Sequence, residues 1–542
     1  MWPNAPAVRL ERHYGDRIVR CYVNRPGSVD ELLLHAATES ADALAFLDAG
    51  RRSTYAELNE AANRVAGGLV ARGLQPGDRV ALLLDNRGEF AEAFFGILRA
   101  GAIAVPLNIR DQTPEIEHRL RHSQAKFIIH EADLAERLPE PTATPSISHR
   151  ISVGALVAGS EPFATLMGEK PPSFNRTSED AIAAILYTSG TTGKPKGAML
   201  SNLSIVTSVM NYQFCWALVP QDRMLMAVPV SHVTGLVAIF LTMVGIGGTT
   251  IFVRNFNAAR FLELASVERM TCTIMVPAMY NLCLLQSNFD TLDLTHWRVG
   301  GYGGAPMPRA TIAQLARKMP WLQLVNAYGA TETTSPSTLM PVGHGVLRAE
   351  TVGMPVPTAD VVILDDDGRE VPVGTSGNVW IRGPHVVPAY WRNDAATEES
   401  FKCGFWNSGD IGAMTEAGYL RLMDRKKDLI NRGGYKVYSA EVEGVLMEHP
   451  QVLEAALISV PDPILGEKSH AVLHARTSTE GTSDFRRFCE ERLSDYKVPD
   501  FFSFVDFPLP RNPAGKILKR ELARVLAERE RPAAASEKSE RE

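Results

Sequence analysis

One loop-forming segment constrains this chain of 542 residues more than any other feature. The apolar run 181–186 leads directly into Tyr187-Thr188-Ser189-Gly190-Thr191-Thr192-Gly193-Lys194-Pro195-Lys196-Gly197. An apolar run that breaks into Gly, Ser and Thr predicts a buried strand followed by a tight loop. Glycines let backbone N–H groups approach an anion, hydroxyls donate to phosphate oxygens, and lysines add positive charge. The segment therefore predicts a binding site for a nucleotide polyphosphate.

The loop differs from the common phosphate-binding motif G-x-x-x-x-G-K-[ST], in which a hydroxyl residue follows the lysine and holds magnesium. Here Pro195 follows Lys194. Proline has no backbone N–H and fixes its own φ, so we expect no helix to begin at this lysine. The plain alternative is a surface loop rich in small residues, which only turn chemistry supports.

The composition excludes several other classes of protein. Hydrophobic residues make up 45% of the chain, which is usual for a soluble globular fold. The net charge of −6 gives no support to nucleic-acid binding, which usually needs a basic face. The six cysteines are scattered without a C-x-x-C pair, as expected of reduced thiols. We see neither a signal peptide nor the roughly 20 apolar residues of a membrane span, and we predict a cytoplasmic protein without a transmembrane segment.

The pattern of apolar residues predicts an α/β fold. Within 53–108, Ser53-Thr54-Tyr55-Ala56-Glu57-Leu58 can cap a helix that runs through Leu69. The strand 79–84, a helix over about 89–99 and the strand 102–107 follow. Such alternation predicts a mainly parallel sheet covered by helices. Residues 138–180 are rich in Pro, Ser and Thr, and we expect an irregular connection there.

The remaining segments predict a β-rich part and a smaller domain. Alternation returns over 224–342, whereas 352–423 contains short β segments separated by turns. We therefore predict a large N-terminal domain of α/β subdomains with a β-rich part over 1–424. A small α/β C-terminal domain is expected over 425–532, followed by a disordered tail of small and charged residues at 533–542.

Several motifs, taken together and in this order, resemble those of one enzyme family. Besides the loop, they include Pro229-Val230-Ser231-His232-Val233-Thr234-Gly235, Gly303-Gly304-Ala305-Pro306, Asn326-Ala327-Tyr328-Gly329-Ala330-Thr331-Glu332, Gly409-Asp410, Asp424-Arg425-Lys426-Lys427-Asp428, Gly433-Gly434-Tyr435-Lys436 and Pro510-Arg511-Asn512-Pro513-Ala514-Gly515-Lys516. This set resembles the adenylate-forming superfamily of acyl-CoA synthetases, peptide-synthetase adenylation domains and beetle luciferases, over nearly the whole chain. The resemblance implies that ATP activates a carboxylic acid to an acyl-adenylate, which then reacts with CoA.

The resemblance also implies which residues bind ATP and Mg²⁺. Tyr328 is an aromatic that can stack on a base, Thr331 can donate to the α-phosphate, and Glu332 offers a hard oxygen to Mg²⁺. Thr188 is the second expected metal-site residue. The expected ATP-binding residues are Thr188, Ser189, Gly190, Thr191, Thr192, Gly193, Lys194, Lys196, Gly303, Gly304, Ala305, Pro306, Asn326, Ala327, Tyr328, Gly329, Thr331, Asp410 and Arg425.

The acid is expected to lie beside His232, which resembles the family's gate histidine, moving aside between the two half-reactions. By position in the family, the acyl pocket is expected to contain Val233, Thr234, Ala238, Gly301 and Gly304, with Asn326 and Ala327 beside them. Most of these residues are small and none is charged, so we predict an apolar acid, medium-chain or aromatic.

The small domain is expected to be a mobile lid that supplies the remaining functional groups. Lys516 matches the family's lysine that neutralises charge during adenylation, and Lys427 matches its interdomain hinge. Gly433, Gly434 and Lys436 match the segment that approaches CoA. The chain departs from the family pattern at three positions, with Ser408 in place of threonine, Asp424 in place of glycine and Ser439 in place of proline.

Other functions stay open at this point. A free-standing adenylation enzyme would load an acyl carrier protein instead of CoA, and a luciferase-like oxygenase would consume O₂. A catalytically inactive nucleotide-binding sensor belongs to another class, although such a protein would be expected to lack Lys516, Glu332 or Asp410. The expected partners are a small carboxylic acid and CoA, and a homodimer is compatible with the sequence.

Overall fold

The computed structural model describes residue 2 and residues 5–168, 177–188, 195–475, 482–511 and 517–526. The first strands are β1 (Val8–His13), β2 (Arg17–Tyr22), β3 (Leu44–Asp48), β4 (Arg51–Thr54), β5 (Arg79–Leu83), β6 (Ile103–Pro106), β7 (Phe127–Glu131), β8 (His149–Val153) and β9 (Glu161–Pro162). The helices between them are α1 (Val29–Glu39), α2 (Tyr55–Ala71), α3 (Gly88–Arg99) and α4 (Thr113–Ser123). Helix α2 begins where the sequence predicts, because Thr54 and Glu57 form a capping box.

The central part of the chain continues the alternation of strands and helices. Its strands are β10 (Ile182–Thr188), β11 (Lys196–Ser201), β12 (Arg223–Met226), β13 (Thr249–Phe252), β14 (Cys272–Met275), β15 (Val299–Tyr302), β16 (Gln323–Tyr328), β17 (Thr338–Leu339) and β18 (Met354–Pro355). Its helices are α5 (Asn202–Cys215), α6 (Thr242–Ile246), α7 (Ala258–Val267), α8 (Pro277–Leu284) and α9 (Arg309–Lys318). A π-helical segment, Thr234–Leu241, leads into α6.

Two large sheets form the core of this region. Among the described residues, one sheet has the strand order β11-β10-β6-β5-β7-β8-β9 and the other β18-β17-β16-β15-β14-β12-β13-β3-β4. All neighbouring strands are parallel except at the outer pairs β10–β11, β16–β17, β17–β18 and β3–β4. The prediction of an α/β fold with mainly parallel sheets is therefore confirmed. The prediction of an irregular connection over 138–180 is wrong in part, because β8 pairs with β7 inside the first sheet.

The β-rich part follows as an antiparallel sheet. It contains β19 (Asp360–Leu364), β20 (Gly377–Arg382), β21 (Phe401–Lys402), β22 (Phe405–Met414) and β23 (Leu420–Arg425), with α10 (Asp394–Ser400) before β21. The order is β19-β20-β22-β21, and β23 pairs with β22. The pairing of β22 with β23 places Asp410 opposite Arg425.

The last part of the chain has its own sheet and its own apolar clusters. Its elements are β24 (Ile430–Arg432), β25 (Tyr435–Val437), α11 (Ser439–Leu446), β26 (Val452–Asp462), β27 (Gly466–Ala475), α12 (Thr482–Glu490) and β28 (Phe501–Val505). Buried apolar residues up to Leu420 and those from Ile430 onward form separate clusters in the described ranges. The predicted tail at 533–542 lies outside the described residues.

Candidate active site

Two of the predicted ATP-site residues, Thr188 and Glu332, lie together at the carboxyl ends of strands from the two large sheets. Thr188 is the last residue of β10, and Glu332 lies in a short turn after β16. The Thr188 Oγ1 atom lies 3.4 Å from Glu332 Oε1. Ligands of open α/β sheets usually bind beyond the carboxyl ends of the strands, and this position fits that rule.

The loop between β10 and β11 is described only at its two ends. Ser189, Gly190, Thr191, Thr192, Gly193 and Lys194 lie outside the described residues, and so does Lys516. After the loop, Lys196 begins strand β11 and pairs with Thr188 across the ladder. The prediction that no helix begins at Lys194 falls on a residue outside the described ranges.

The residues expected at the metal site carry the oxygen ligands that Mg²⁺ prefers. The Thr188 hydroxyl and the Glu332 carboxylate converge, and Glu332 Oε1 accepts a hydrogen bond from the Tyr390 hydroxyl at 2.9 Å. In the described part of the chain, no hydrogen bond reaches Glu332 Oε2. A carboxylate oxygen beside phosphate oxygens is the usual environment of protein-bound Mg²⁺, so these residues fit this ion.

The residues expected to hold the base and ribose are already linked. The Tyr328 hydroxyl donates to Asp410 Oδ2 at 2.6 Å, and Arg425 Nε lies 3.3 Å from Asp410 Oδ1. Burial, followed by the charge of Asp410, raises the pKa of Tyr328, so its hydroxyl stays protonated. Ser408 donates to Val379 O at 2.8 Å and accepts from the Asp410 N–H at 3.0 Å. The serine thus supplies a hydroxyl at the position where the family has threonine.

The glycines of the predicted adenine wall are required by close packing and by backbone conformation. A Cβ on Gly303 would lie 2.5 Å from Ala327 O, and Gly304 has φ of +77°. Ala305 is half-buried and Pro306 is exposed. On β16 and its following turn, Asn326 is buried, Ala327 and Thr331 are half-buried and Gly329 is exposed.

A tight turn positions His232. A Cβ on Gly235 would lie 2.2 Å from Pro229 O, so the Pro-x-x-His-x-x-Gly spacing reflects a real contact. The His232 N–H donates to Pro229 O at 3.0 Å. Burial, and secondly the charge of Arg119, lowers the pKa of His232, so the imidazole is neutral at pH 7.

Asn86 supports this turn, although no sequence motif indicated it. Its side-chain amide donates to Met226 O, Val228 O and Val253 O at 3.0–3.1 Å, and its Oδ1 accepts from Val230 N at 2.8 Å. Asn86 is 1% exposed. Asn86 follows strand β5. Its position after a strand end was the one sequence feature that could have indicated a role near the site.

The residues of the predicted acyl pocket lie at the start of the π-helical segment and within it, on β15, and in the turn after β15. Val233 and Ala238 are buried, and Thr234 is half-buried. A Cβ on Gly301 would lie 2.8 Å from the indole of Trp216, which packs against this glycine. Trp216 is fully buried and is a further residue that sequence reasoning missed.

The paired glycines of the predicted CoA segment form the turn of a hairpin. Gly433 and Gly434 have φ of +59° and +90°, and they connect β24 to β25. Positive φ at both central residues is typical of a two-residue hairpin turn, which explains the glycines without a ligand. Lys436 is exposed on β25, and Lys427 is exposed in the connection before β24.

A separate groove lies away from these residues. Its volume is about 860 Å³, and Arg51, Arg64, Phe163 and Met167 are among the residues that line it. It contains none of the predicted site residues. Within the described ranges, no helix has the length and apolar character needed to cross a membrane.

The fold and the joined cluster of hydroxyl, carboxylate and aromatic groups define a nucleotide-binding enzyme of the adenylate-forming type. The family model for "AMP-binding enzyme" matches residues 33–391 of this chain. The family model for "AMP-binding enzyme C-terminal domain" matches residues 441–516. The chain therefore belongs to the AMP-binding enzyme family.

Named relatives agree with this class. Feruloyl-CoA synthase of Amycolatopsis sp is 34% identical over 489 residues, covering 90% of this chain and 97% of the relative. Long-chain-fatty-acid–CoA ligase FadD13 of Mycobacterium tuberculosis (strain CDC 1551 / Oshkosh) is 34% identical over 500 residues, covering 91% of this chain and 97% of the relative. The prediction of an AMP-forming acid–CoA ligase is confirmed at the level of class.

The fold has been solved in related enzymes with bound nucleotides. The o-succinylbenzoate CoA synthetase (MenE) of Bacillus subtilis, in complex with its acyl-adenylate intermediate, is 29% identical with a TM-score of 0.82, covering 92% of this chain and 98% of that chain. The same enzyme with ATP and a magnesium ion gives a TM-score of 0.80 at 29% identity, covering 91% of this chain and 99% of that chain.

Proposed function

We propose that this enzyme converts a medium-chain or aromatic carboxylic acid to its CoA thioester through an acyl-adenylate. The observation that carries the proposal is the convergence of Thr188, Glu332 and Lys196 on one side and Tyr328 and Asp410 on the other. Thr188 and Tyr328 end β10 and β16, which belong to the two large sheets, and Asp410 lies in β22 of the antiparallel sheet. Such a site can hold phosphates and a nucleoside at once.

In the first half-reaction, the substrate carboxylate attacks the α-phosphorus of ATP and pyrophosphate leaves. The loop 188–196 holds the phosphates through its hydroxyls, N–H groups and lysines. Glu332 and Thr188 would hold Mg²⁺, which neutralises charge on the phosphates when bound. Lys516 is the proposed cation that stabilises the charge developing between carboxylate and α-phosphate. Tyr328, Asp410 and Arg425 orient the nucleoside.

In the second half-reaction, the CoA thiolate attacks the acyl carbonyl and AMP leaves. We propose that residues 425–532 rotate as a lid against residues 1–424, with Lys427 at the hinge. This motion removes Lys516 and brings Gly433, Gly434 and Lys436 toward the acyl group. One site thereby serves two reactions in turn. His232, which is neutral at pH 7, is the proposed gate between acyl group and thiol.

Trp216 supports the choice of acid. Its indole packs against Gly301, where an added Cβ would lie 2.8 Å from the ring. A pocket that ends there accommodates a ring or a chain of moderate length and excludes a long one. Of the relatives, feruloyl-CoA synthase is named for an aromatic acid and FadD13 for long-chain fatty acids. The position of Trp216 favours the first.

We propose that the enzyme is cytoplasmic, because its six cysteines are free and the cytoplasm keeps thiols reduced. A homodimer stays a prediction.

A substrate panel tests this function. Pyrophosphate release would be followed with acetate, hexanoate, decanoate, palmitate, benzoate and a hydroxycinnamate, each with ATP, Mg²⁺ and CoA. We expect the highest kcat/KM with hexanoate, decanoate or an aromatic acid, and stoichiometric thioester. Replacing CoA with a phosphopantetheinylated carrier protein tests the alternative acceptor. Preference for the carrier, or absence of turnover with every acid, contradicts the proposal.

A further inference from the structure

Tyr390 contacts two of the predicted ATP-site residues, although no motif pointed to it. Its hydroxyl donates to Glu332 Oε1 at 2.9 Å. The Lys196 ammonium lies over its ring, 5.0 Å from the centroid. A carboxylate oxygen can only accept a hydrogen bond, so the tyrosine hydroxyl is the donor in this contact.

The backbone of Tyr390 is fixed to the strand that leaves the phosphate loop. Residue 390 forms an antiparallel bridge with Ala198, and the Trp391 N–H donates to Gly197 O at 2.7 Å. The ring packs edge-on against Phe401, with centroids 5.6 Å apart. Because Tyr390 is only 5% exposed, its hydroxyl has little freedom to turn away from Glu332.

The main chain of Glu332 is held by a separate contact. The Val387 N–H donates to Glu332 O at 2.9 Å. The Tyr390 hydroxyl therefore fixes the direction of the carboxylate, while the backbone bond fixes the turn. With Oε1 engaged by Tyr390, Oε2 is the Glu332 oxygen that no hydrogen bond occupies within the described ranges.

We propose that Tyr390 is a positioning residue for the metal site: its hydroxyl orients the Glu332 carboxylate toward the Mg²⁺ of ATP, and its ring aligns Lys196 beside the phosphates. The inference rests on the proposed function, since Glu332 is the proposed metal ligand. A group that holds a metal ligand in its binding orientation raises metal affinity, because the ligand then loses less conformational entropy when the metal binds.

The test measures metal binding directly on the full-length enzyme. Mn²⁺ is the probe, its free concentration is followed by electron paramagnetic resonance, and a non-hydrolysable ATP analogue is present throughout. We expect Tyr390→Phe, which removes only the hydroxyl, to raise the Kd of Mn²⁺ about tenfold. Binding of the analogue without metal should change less than about twofold, because the ring and Lys196 are retained.

Two further variants separate the inference from the proposed function. Tyr55→Phe is the matched control, because Tyr55 is also buried and donates to Gly248 O at 2.6 Å away from the site; its Mn²⁺ Kd should equal that of the wild type. Glu332→Gln should weaken Mn²⁺ binding more than Tyr390→Phe does. An unchanged Kd in Tyr390→Phe, with Glu332→Gln weakened, overturns the positioning role alone. An unchanged Kd in Glu332→Gln overturns the assigned metal site and the inference with it.

Discussion

Ser439 donates two hydrogen bonds to Asp424. Both residues stand at positions where the chain departs from its family's motifs. The Ser439 N–H donates to Asp424 Oδ2, and its hydroxyl donates to Oδ1 at 3.1 Å. The Lys519 ammonium donates to the Ser439 hydroxyl at 2.6 Å. A proline at 439 would lack the N–H, and a glycine at 424 would lack the acceptor. The two departures therefore belong together.

This contact bridges the proposed domain boundary, so it should hold the small domain in the observed orientation. Asp424 lies in β23 and Ser439 begins α11. We expect Asp424→Ala, which removes both bonds, to speed tryptic cleavage at Arg425–Lys427 by about thirtyfold, as loss of two hydrogen bonds of about 1 kcal/mol each implies. Ser439→Ala keeps the N–H bond and should have the smaller effect. Equal cleavage rates in all three proteins would show that Asp424 does not restrain the hinge.

Lys427→Pro should separate the two half-reactions. In the described residues no backbone hydrogen bond comes from the Lys427 N–H, so proline removes none of them and mainly fixes φ near −65°. We expect ATP–pyrophosphate exchange within about threefold of the wild type and a fall of at least tenfold in thioester formation from supplied acyl-adenylate.

The matched control for this hinge test is Lys427→Ala, which removes the charge and leaves φ free. It should retain both half-reactions. Loss of pyrophosphate exchange in Lys427→Pro with an intact second step would contradict the hinge assignment.

Trp216→Ala should allow the enzyme to accept longer acids. The indole fills the space beside Gly301, and each methylene of misfit in a pocket is worth about 1–3 kcal/mol. We expect the ratio of kcat/KM for palmitate to that for decanoate to rise at least tenfold. Gly304 is less suited to this test, because its φ of +77° makes any side chain strained.

Trp297→Leu provides the control for loss of a buried indole. Trp297 stacks on Tyr280, which packs on the face of β15 to which a Cβ on Gly300 would point, whereas Trp216 packs on the opposite face. Its ratio of the two kcat/KM values should stay at the wild-type value. A ratio unchanged in Trp216→Ala would place the end of the acyl pocket elsewhere.

Asp500→Asn should destabilise the small domain by an amount that is constant at neutral pH and falls only in acid. Arg432 contacts both carboxylate oxygens, at 2.7 and 3.0 Å, and the Ser469 N–H donates to Oδ2 at 3.0 Å. Burial alone would raise the pKa of Asp500, but these contacts hold it below its usual value. The stabilisation is therefore complete above about pH 4 and is lost as pH falls through the lowered pKa.

We expect the variant to lose about 2–3 kcal/mol of unfolding free energy in urea, equally from pH 8 to pH 5. Asp367→Asn removes a carboxylate from an exposed pair with Arg369 and should change stability by less than about 0.5 kcal/mol. A difference for Asp500→Asn that grows as the pH falls from 8 to 5 would mean that the pKa of Asp500 is raised in the folded protein and not lowered.

The sequence predicted the elements whose signal is local. The apolar run before the loop forms β10, and Thr54 with Glu57 caps α2 as expected. Strand β8 was missed because its polar residues His149, Arg150 and Ser152 lie in a stretch rich in Pro, Ser and Thr, although pairing with β7 stabilises it.

The parts of the site that could not be predicted depend on tertiary contacts. Tyr390 reaches Glu332 across 58 residues of sequence, and Asn86 reaches Val230 across 144. The sequence around each residue looks like that of an ordinary strand end or turn. Gly433 and Gly434 also form a hairpin turn through their positive φ angles, which the sequence motif did not indicate, and their approach to CoA stays a prediction.

Oxygen transfer from the substrate acid tests the central claim most directly. The enzyme would be given an acid with both carboxylate oxygens as ¹⁸O, together with ATP, Mg²⁺ and CoA, and the products analysed by mass spectrometry. If the carboxylate attacks the α-phosphorus and CoA then displaces AMP, each AMP carries one ¹⁸O and pyrophosphate carries none. Lys516→Ala should form no labelled AMP from acid and ATP, yet should still convert supplied acyl-adenylate to thioester. Label in inorganic phosphate, with ADP as the nucleotide product, would contradict the account.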